Sequence, residues 1–286
     1  LLAATLLSGL LGWRAVFYIT GSLGLILAVV IFFGVKEAPR GQSEPEMAEL
    51  EQVGVYKFDK KIALGLFKKR SLLLLFAQGF VGVFPWQVIT YWFFRYLETE
   101  RNYDSQAVLI TLAPAILVMA AGYFIGGMLG DLMFKRTPRG RLIVAIVGVL
   151  IGAILLAVTL NIPIENQSYF LVMMMLTALF IPFSSPNVIS TVYDITLPEV
   201  RSTALAIQYF LENGGAATAP LLAGFIARSY SLHVAILTIC VTAWILTAIL
   251  LFFSAYLVPK DIQTLREQME ERAEIERTRQ SSPEPV

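Results

Sequence analysis

The chain has 286 residues, of which 57% are hydrophobic and only 15% are charged. Because soluble domains carry about 25% charged residues, this composition excludes an ordinary soluble protein and indicates one that crosses a membrane several times. The net charge of +1 gives no reason to expect a nucleic-acid partner, and the single cysteine, Cys240, excludes an intramolecular disulfide.

The first residues of the chain are already apolar. Residues 1–11 lack the basic region and the cleavage site of a signal peptide, and no Met precedes them. We therefore expect them to be the last turns of a helix that begins upstream, in a longer protein.

Seven segments are long enough to cross a hydrocarbon core, for which about 20 apolar residues suffice. In chain order they are 15–35, 72–94, 107–130, 142–160, 169–193, 202–227 and 232–258. None of the 22 Lys and Arg residues lies well inside these segments, which supports their insertion. The predicted fold is an all-α, polytopic bundle of membrane helices.

Basic residues are distributed unevenly among the loops. Most of them lie in residues 36–70, 135–141 and 260–279, whereas the alternate loops hold few. Because positively charged loops stay in the cytoplasm, these three regions are predicted to be cytoplasmic. The expected location is the plasma (inner) membrane, with a cytoplasmic C-terminus.

Two cytoplasmic segments have helical patterns of their own. The sequence KKIALGLFKKR, which ends at Arg70, alternates basic clusters with apolar residues and predicts a short helix in the membrane interface. The tail after Lys260 is rich in Glu and Arg, with Ile262, Leu265 and Met269 on one face. This pattern predicts a solvated helix.

An internal repeat relates the two ends of the chain. Residues 4–40 can be aligned with residues 219–261, so that Arg14 corresponds to Arg228 and Pro39 to Pro259. A copy that is six spans away predicts two six-helix halves, and parallel repeats of this kind are a transporter feature.

Residues 126–141 read GGMLGDLMFKRTPRGR and join two spans. Gly127 and Asp131 share one helical face. A carboxylate at the end of a membrane helix is costly unless it is paired, and glycines let a second helix approach to supply a partner. The pattern predicts a joint between helices at the membrane surface. The alternative is a charged loop that only anchors two spans.

This stretch resembles the cytoplasmic loop signature of the major facilitator superfamily, Gly-x-x-x-Asp followed by basic residues. The matching positions are Gly127, Asp131, Lys135 and Arg136, with Arg139 as a further basic position. Leu132 stands where the family has Arg or Lys, so a salt bridge from that position is not expected. In addition, residues 197–227 resemble the eleventh helix of the family, with Arg201 at its cytoplasmic end.

The resemblance implies seven complete spans of an expected twelve. The implied parts are the end of helix five (1–11), helix six (12–35), a cytoplasmic interdomain loop (36–71), helices seven to twelve (72–259) and a cytoplasmic tail (260–286). It also implies that the N-terminal half of the same protein is a partner of this chain.

The implied function is secondary transport of a small organic solute by alternating access between the two halves. Within the superfamily, WQVITYWFFRYLE and the PRG sequence after the first span resemble spinster-like members, a group associated with lysolipid or sphingoid substrates. The wider family also moves sugars, organic anions and drugs. The expected partners are therefore a small-molecule substrate, the lipid bilayer and, for coupled transport, protons.

The family's central cavity implies that the second and fifth spans of this chain line the transport path. Pro85 and Pro182 lie near the middle of these spans and predict interruptions of the helices. The candidate substrate-binding residues are Trp86, Gln87, Tyr91, Asn187, Gln208 and Glu212. The alternative for each is packing between helices.

Glu212 is the candidate coupling residue. It lies about 15 Å from the cytoplasmic end of its span at 1.5 Å per residue, where an ionised carboxylate costs at least about 2.5 kcal/mol. Gln208, Gly215 and Ala219 share its helical face. We predict that Glu212 lines the water-accessible path and takes up a proton. The alternative is a structural, protonated Glu bonded to a neighbouring helix.

Asp131 has a different predicted role. The resemblance implies a clamp at the cytoplasmic ends of the helices that is made and broken during transport. Asp194 and Glu199 surround the next cytoplasmic turn and predict a similar cluster there. The candidate gating residues are Gly127, Asp131, Lys135, Arg136, Arg139 and Arg201.

The chain has one His and one Cys, so no metal site is predicted. Phosphate-loop and nucleophile motifs are also missing from the sequence, and we expect neither an enzyme nor a cofactor. A heptahelical receptor and a channel are the rival classes. The internal repeat and the Asp131 loop argue against a receptor, and a channel would need a polar stripe along a pore.

Overall fold

The computed structural model describes residues 12–35 and 60–281, with side chains as far as residue 278. The described residues fall into two compact units, one with residues 12–35 and 269–281 and the other with residues 60–268. The predictions for residues 1–11 and 36–59 lie outside the described residues.

The first unit contains helix α1, Trp13–Gly34, which follows Gly12 in a left-handed conformation with φ of 79°. The helix has 22 residues and none of its side chains is buried. It is long and apolar enough to cross a membrane, as predicted.

The second unit begins with α2, Lys60–Gly65, and a short 3-10 turn, Leu66–Lys68, in agreement with the predicted short helix. Seven longer helices follow, α3 to α9: Arg70–Gly82, Phe84–Thr99, Ser105–Phe134, Gly140–Leu160, Gln167–Phe180, Ser184–Asp194 and Arg201–Ser229. Helix α10, Leu232–Ser281, starts in this unit and runs to the end of the described chain.

Six helical segments of the described residues are long and apolar enough to span a membrane. They include six of the seven predicted spans. The predicted span at 202–227 forms α9, whose 29 residues are ample in length. It is less apolar than the others because it carries Gln208, Glu212 and Asn213.

Both predicted interruptions are present. The second span breaks at Val83, between α3 and α4, because Pro85 has no N–H to continue the helix. The fifth span breaks between α7 and α8, where Ile181–Phe183 forms a 3-10 turn around Pro182.

Buried apolar side chains form two clusters at opposite ends of the bundle. One includes Phe170, Tyr96 and Ile236, and the other includes Leu72 and Leu142. Between these two clusters, glycines allow neighbouring helices to approach each other closely. A Cβ on Gly215 would collide with the backbone carbonyl of Phe80, and a Cβ on Gly122 with that of Leu179. The α3–α9 and α5–α7 contacts therefore require glycine.

The prediction of a solvated tail was wrong for its first two turns. Ile262 and Leu265 are only 5% and 7% exposed. Ile262 joins the second apolar cluster, together with Leu66 and Val258. The apolar face that the sequence predicts for this helix is thus used for packing, because α10 extends without a break past Pro259.

We predict that Gly215→Ala destabilises the bundle by about 1–3 kcal/mol, because a methyl group must displace the backbone at Phe80. Thermal unfolding of the purified protein in detergent would show a lower Tm. Gly152→Ala is the matched control, since its new Cβ would lie 3.9 Å from the nearest side-chain atom. Equal Tm values for the two variants would contradict the close approach of α3 and α9.

Candidate functional site

A cavity of about 660 Å³ lies within the second unit, beside both helix breaks. Its walls come from α3 and α4, from α5, from the α7–α8 break, and from α9 and α10. The polar side chains that line it are Gln78, Trp86, Tyr123, Ser184, Ser185, Tyr209, Glu212 and Trp244. Most of the remaining wall is apolar, as expected for a small-molecule site.

Trp86 and Glu212 line this cavity, and Gln208 contacts it through Glu212. Gln87 and Tyr91 lie outside the lining, and the Tyr91 side chain is 67% exposed. Gln87 lies one residue and Tyr91 five residues after Trp86, so the three side chains point in different directions around α4 and only Trp86 lines the cavity.

Gln208 and Glu212 form a hydrogen-bonded pair on α9. The Gln208 Nε2 group donates to Glu212 Oε1 at 2.9 Å. Gln208 is 1% exposed and fills the space beside Gly79, where a Cβ would collide with its amide. Because Gly79 on α3 has no side chain, there is room for the Gln208–Glu212 pair on α9.

Gln78 is a polar residue of the cavity that the sequence analysis missed. It is 6% exposed, and its Oε1 atom has no hydrogen-bond partner among the described residues. The same holds for the Oε1 atom of Gln208. Buried amide oxygens without a partner are costly, so the Gln78 oxygen, which lines the cavity, is suited to accept a hydrogen bond from a ligand or water. The signal that could have identified this residue in the sequence is a Gln inside a predicted membrane span.

No Lys, Arg or His belongs to the described lining of this cavity. Glu212 is its only carboxylate, and hydroxyl donors come from Ser184, Ser185, Tyr123 and Tyr209. The cavity can therefore hydrogen-bond a polar ligand in several directions, and it concentrates its one acidic group on α9.

Asn187 is placed in a contact between helices, outside the cavity lining. It is 1% exposed, and its Nδ2 group donates to the carbonyl oxygens of Gly126 at 2.9 Å and Phe183 at 2.7 Å. Its side chain occupies the space beside Gly130. The bond to Gly126 holds α8 against α5, which is the packing alternative considered for this residue.

The Asp131 loop forms an ion-pair cluster around Arg141, the last residue of the motif. The Arg141 side chain donates to Asp131 Oδ1 from Nε at 3.0 Å and from a terminal nitrogen at 2.9 Å. Its other terminal nitrogen pairs with Asp194. The guanidinium also lies 4.1 Å from the ring centre of Phe134. Arg141 thus links the ends of α5, α6 and α8, as expected for a joint.

The other predicted gating residues lie around this cluster. Arg201 Nε donates to the carbonyl oxygens of Tyr193 and Thr196, each at 3.3 Å. Arg139 lies 5.8 Å from the ring of Tyr256. Lys135 and Arg136 are exposed. Gly127 faces Pro186 at ordinary van der Waals distance.

A buried arginine fastens the opposite end of the bundle. Arg101 is 3% exposed and donates to the carbonyl oxygens of Ile162 at 2.9 Å and Pro163 at 3.2 Å. Its guanidinium lies 3.8 Å from the ring centre of Phe170. Next to it, the Glu100 carboxylate accepts both backbone N–H groups at the start of α10. This end is held by charge-assisted bonds to backbone.

Membrane-length helices that enclose a polar cavity define an integral, multi-pass membrane protein with the architecture of a solute carrier. The sequence profile of the Major Facilitator Superfamily matches residues 1–166 and 139–282. The chain belongs to this superfamily.

Curated relatives are transporters. The chain is 28% identical over 260 residues to a probable L-galactonate transporter of Escherichia coli K12, which covers 85% of this chain and 55% of that protein. It is 28% identical over 138 residues to the probable sulfoacetate transporter SauU of Cupriavidus necator, covering 46% and 32%. The chain thus spans about half the length, or less, of these relatives.

The fold is similar to that of a bacterial homolog of the human lysosomal transporter Spinster, crystallised in an inward-facing and unoccupied conformation. The TM-score is 0.52 at 19% identity, and the match covers 90% of this chain and 60% of that one. At this identity the likeness concerns the fold.

We predict that Arg141→Gln lowers the stability of the bundle by about 1–3 kcal/mol, because it leaves the partly buried Asp194 carboxylate without its cation. Thermal unfolding would measure the loss. Arg139→Gln removes the same charge from the same loop without touching either carboxylate. If both variants unfold at the same temperature, Arg141 does not join the helices as described.

Proposed function

We propose that this chain provides one half of the transport path of a secondary transporter, which carries a small organic solute by alternating access. The observation that supports this best is the cavity beside the two helix breaks. It lies beside breaks within two of the predicted spans, and transporters with discontinuous helices bind their substrates at such breaks. Broken helices are tolerated in a membrane where they line such a cavity.

Within this proposal the substrate is an organic anion that also carries hydroxyl groups. Several relatives are named for such solutes, including D-galactonate, L-galactonate and hexuronate. The unpartnered Oε1 atom of Gln78, which lines the cavity, can accept a hydrogen bond from a hydroxyl group. Ser184, Ser185 and the two tyrosines can donate hydrogen bonds to oxygen atoms of the same ligand.

The runner-up substrate is a lysolipid, which the spinster-like sequence features favour. The mixed lining of the cavity could hold its polar head, with the chain beside Ile116 and Met119. The hydroxylated acid has more support because several relatives are named for such solutes and because its several hydroxyl groups can supply a donor to the Gln78 amide oxygen.

Glu212 is proposed as the proton site. It is half-buried, lines the cavity and has Gln208 as its hydrogen-bond partner. A carboxylate at this depth is expensive when ionised and unpaired, so substrate binding and protonation are linked at one place. Uptake of an anion together with a proton would also lower the charge that crosses the membrane.

The Asp131–Arg141–Asp194 cluster is proposed as the cytoplasmic gate. Asp131 is 61% exposed, whereas Asp194 is 22% exposed. The Asp131 arm of the cluster is thus more weakly held, since exposed ion pairs contribute little. It can open while Arg141 stays on Asp194, which makes it suited to a contact that changes during the cycle. The proposed gate faces the cytoplasm, in a protein of the plasma (inner) membrane whose C-terminus is also cytoplasmic.

We predict that Glu212→Gln abolishes the pH dependence of uptake and leaves the amount of protein in the membrane unchanged. Radiolabelled galactonate and a lysophospholipid would be compared in cells that express the protein, at several external pH values. Glu165→Gln, in an exposed loop, is the control for loss of a carboxylate. Uptake by Glu212→Gln that still rises with acidity would disprove proton coupling at this residue.

Saturable uptake of the acid and not the lysolipid is the expected substrate result. The opposite preference would replace the hydroxylated acid by the runner-up. Ligand-dependent association with a cytosolic protein, without any solute flux, would instead support the receptor class.

We predict that Asp131→Asn slows maximal uptake severalfold while the KM changes little, because the gate lies far along the helices from the cavity. Its Tm is expected to stay near that of the unmodified protein, since Arg141 keeps Asp194 as its partner. Initial-rate measurements over a range of substrate concentrations test this. An equal loss of affinity and rate would argue against a gating role.

A further inference from the structure

A second groove lies on the outside of the bundle, where α5, α6 and the α7–α8 break meet. Its volume is about 670 Å³. The wall is almost entirely apolar and includes Leu129, Leu132, Ile143, Val147, Phe180 and Phe183. Lys135 and Arg136 are the charged residues of the described lining.

The groove has one cationic end and one apolar end. Lys135 and Arg136 follow directly after α5, which ends at Phe134. Leu129 lies six residues earlier, about 9 Å deeper at 1.5 Å per residue. A ligand that fills the groove must therefore carry a negative charge near the membrane surface and an apolar part that extends inward.

The two cations at the mouth of the groove, Lys135 and Arg136, are accessible to a ligand. Both side chains are exposed, and neither makes an ion pair or a side-chain hydrogen bond with the described residues. The other arginines of this loop differ, because Arg141 is held by two carboxylates and Arg139 lies near Tyr256. Since Arg141 already pairs with Asp131, that acid does not neutralise the mouth.

The floor of the groove is the back of the segment that lines the central cavity. Phe183 is 5% exposed and wedged between α5 and α6, where a Cβ on Gly126 or on Gly148 would meet it. Its neighbours Pro182 and Ser184 line the cavity on the other side. An occupant of the groove thus touches the same 3-10 turn that the cavity touches.

We propose that this groove binds an anionic phospholipid, with its phosphate at Lys135 and Arg136 and one acyl chain along the wall to Phe180 and Phe183. A lipid fits both parts of the groove, since basic residues at the membrane surface attract anionic headgroups. A soluble anion would leave the apolar floor empty. A zwitterionic lipid would bring its ammonium group next to two cations.

The binding site does not depend on the proposed transport function. It needs only the membrane location of the helices, the two cations and the apolar floor. Selectivity for an anionic headgroup is therefore the property to measure, in the full chain and without a transport substrate.

The test places a reporter in the groove. Leu129→Trp would be reconstituted in phosphatidylcholine vesicles that contain a small fraction of phosphatidylglycerol or phosphatidylcholine with brominated acyl chains. Bromine quenches tryptophan fluorescence on contact, and the unmodified protein supplies the background of its own four Trp residues. Ile154→Trp, on α6 outside the described lining of the groove, reports ordinary contact with bulk lipid.

Brominated phosphatidylglycerol is expected to quench Leu129→Trp at a much lower fraction than brominated phosphatidylcholine does, and Ile154→Trp equally with both. Adding Lys135→Gln and Arg136→Gln should reduce the preference roughly fivefold per removed charge. Arg95→Gln with Arg228→Gln removes two exposed charges elsewhere and should leave it unchanged. Inorganic phosphate should not compete.

Further outcomes test separately the two parts of the proposal, the headgroup at the cations and the acyl chain in the groove. Val147→Phe narrows the groove and keeps both cations, so it should also weaken the preference for phosphatidylglycerol. Equal quenching of Leu129→Trp by the two lipids would overturn the proposal, as would an unchanged preference in the double Gln variant. Full competition by inorganic phosphate, or normal binding in Val147→Phe, would show that no acyl chain occupies the groove.

Discussion

The fit of one broken helix against two glycine-bearing helices is the constraint on which the rest of this structure depends. The α7–α8 break brings the Leu179 carbonyl against Gly122 and wedges Phe183 between Gly126 and Gly148. Asn187 then bonds to the Gly126 carbonyl. Because a buried Asn must satisfy its amide, this bond selects one register of α8 on α5. The turn at Pro182 is held in place as a result.

This fit determines the surroundings of both cavities. With Phe183 fixed on the outside, Ser184 and Ser185 line the inner cavity opposite Glu212. The outer groove in turn ends at Phe180 and Phe183. A change at either side of the turn acts on the same few backbone groups. Tightly packed segments of this kind tend to have discrete alternative arrangements and to resist gradual deformation, which suits the proposed alternating access.

The two ends of the bundle are fastened with different strength. At one end Arg101 is buried, bonded to two carbonyl oxygens and stacked on Phe170. At the other end Arg141 shares its donors between one exposed and one partly buried carboxylate. A charged group that is removed from water and bonded to carbonyl oxygens is hard to separate from them, whereas exposed ion pairs open readily. The asymmetry supports movement at the Arg141 end.

Much of the architecture could be predicted because it follows from local physics. The spans follow from runs of apolar residues with no charge inside them, and the interruptions at Val83 and Ile181–Phe183 follow from prolines that cannot donate a hydrogen bond. The short helix before Arg70 was also predictable from its alternation of basic and apolar residues. The spacing of Gln208 and Glu212 placed both on one face of α9, because residues four apart share a helical face.

The partners of the polar groups could not be predicted. Asp131 was expected to need a cation, yet only the meeting of α5, α6 and α8 selected Arg141 and joined it to Asp194. The Gln78 side chain has room beside Gly82, which has no Cβ, and the Asn187 side chain has room beside Gly130 in the same way.

The sequence by itself thus determined which segments enter the membrane, where they break and which residues are polar at mid-depth. Only the tertiary structure decided which of these polar groups face each other, a cavity or a neighbouring helix. The physical reason is that hydropathy and helix breaking act within one segment, whereas hydrogen bonds, ion pairs and close glycine contacts depend on the rotation of each helix relative to its neighbours.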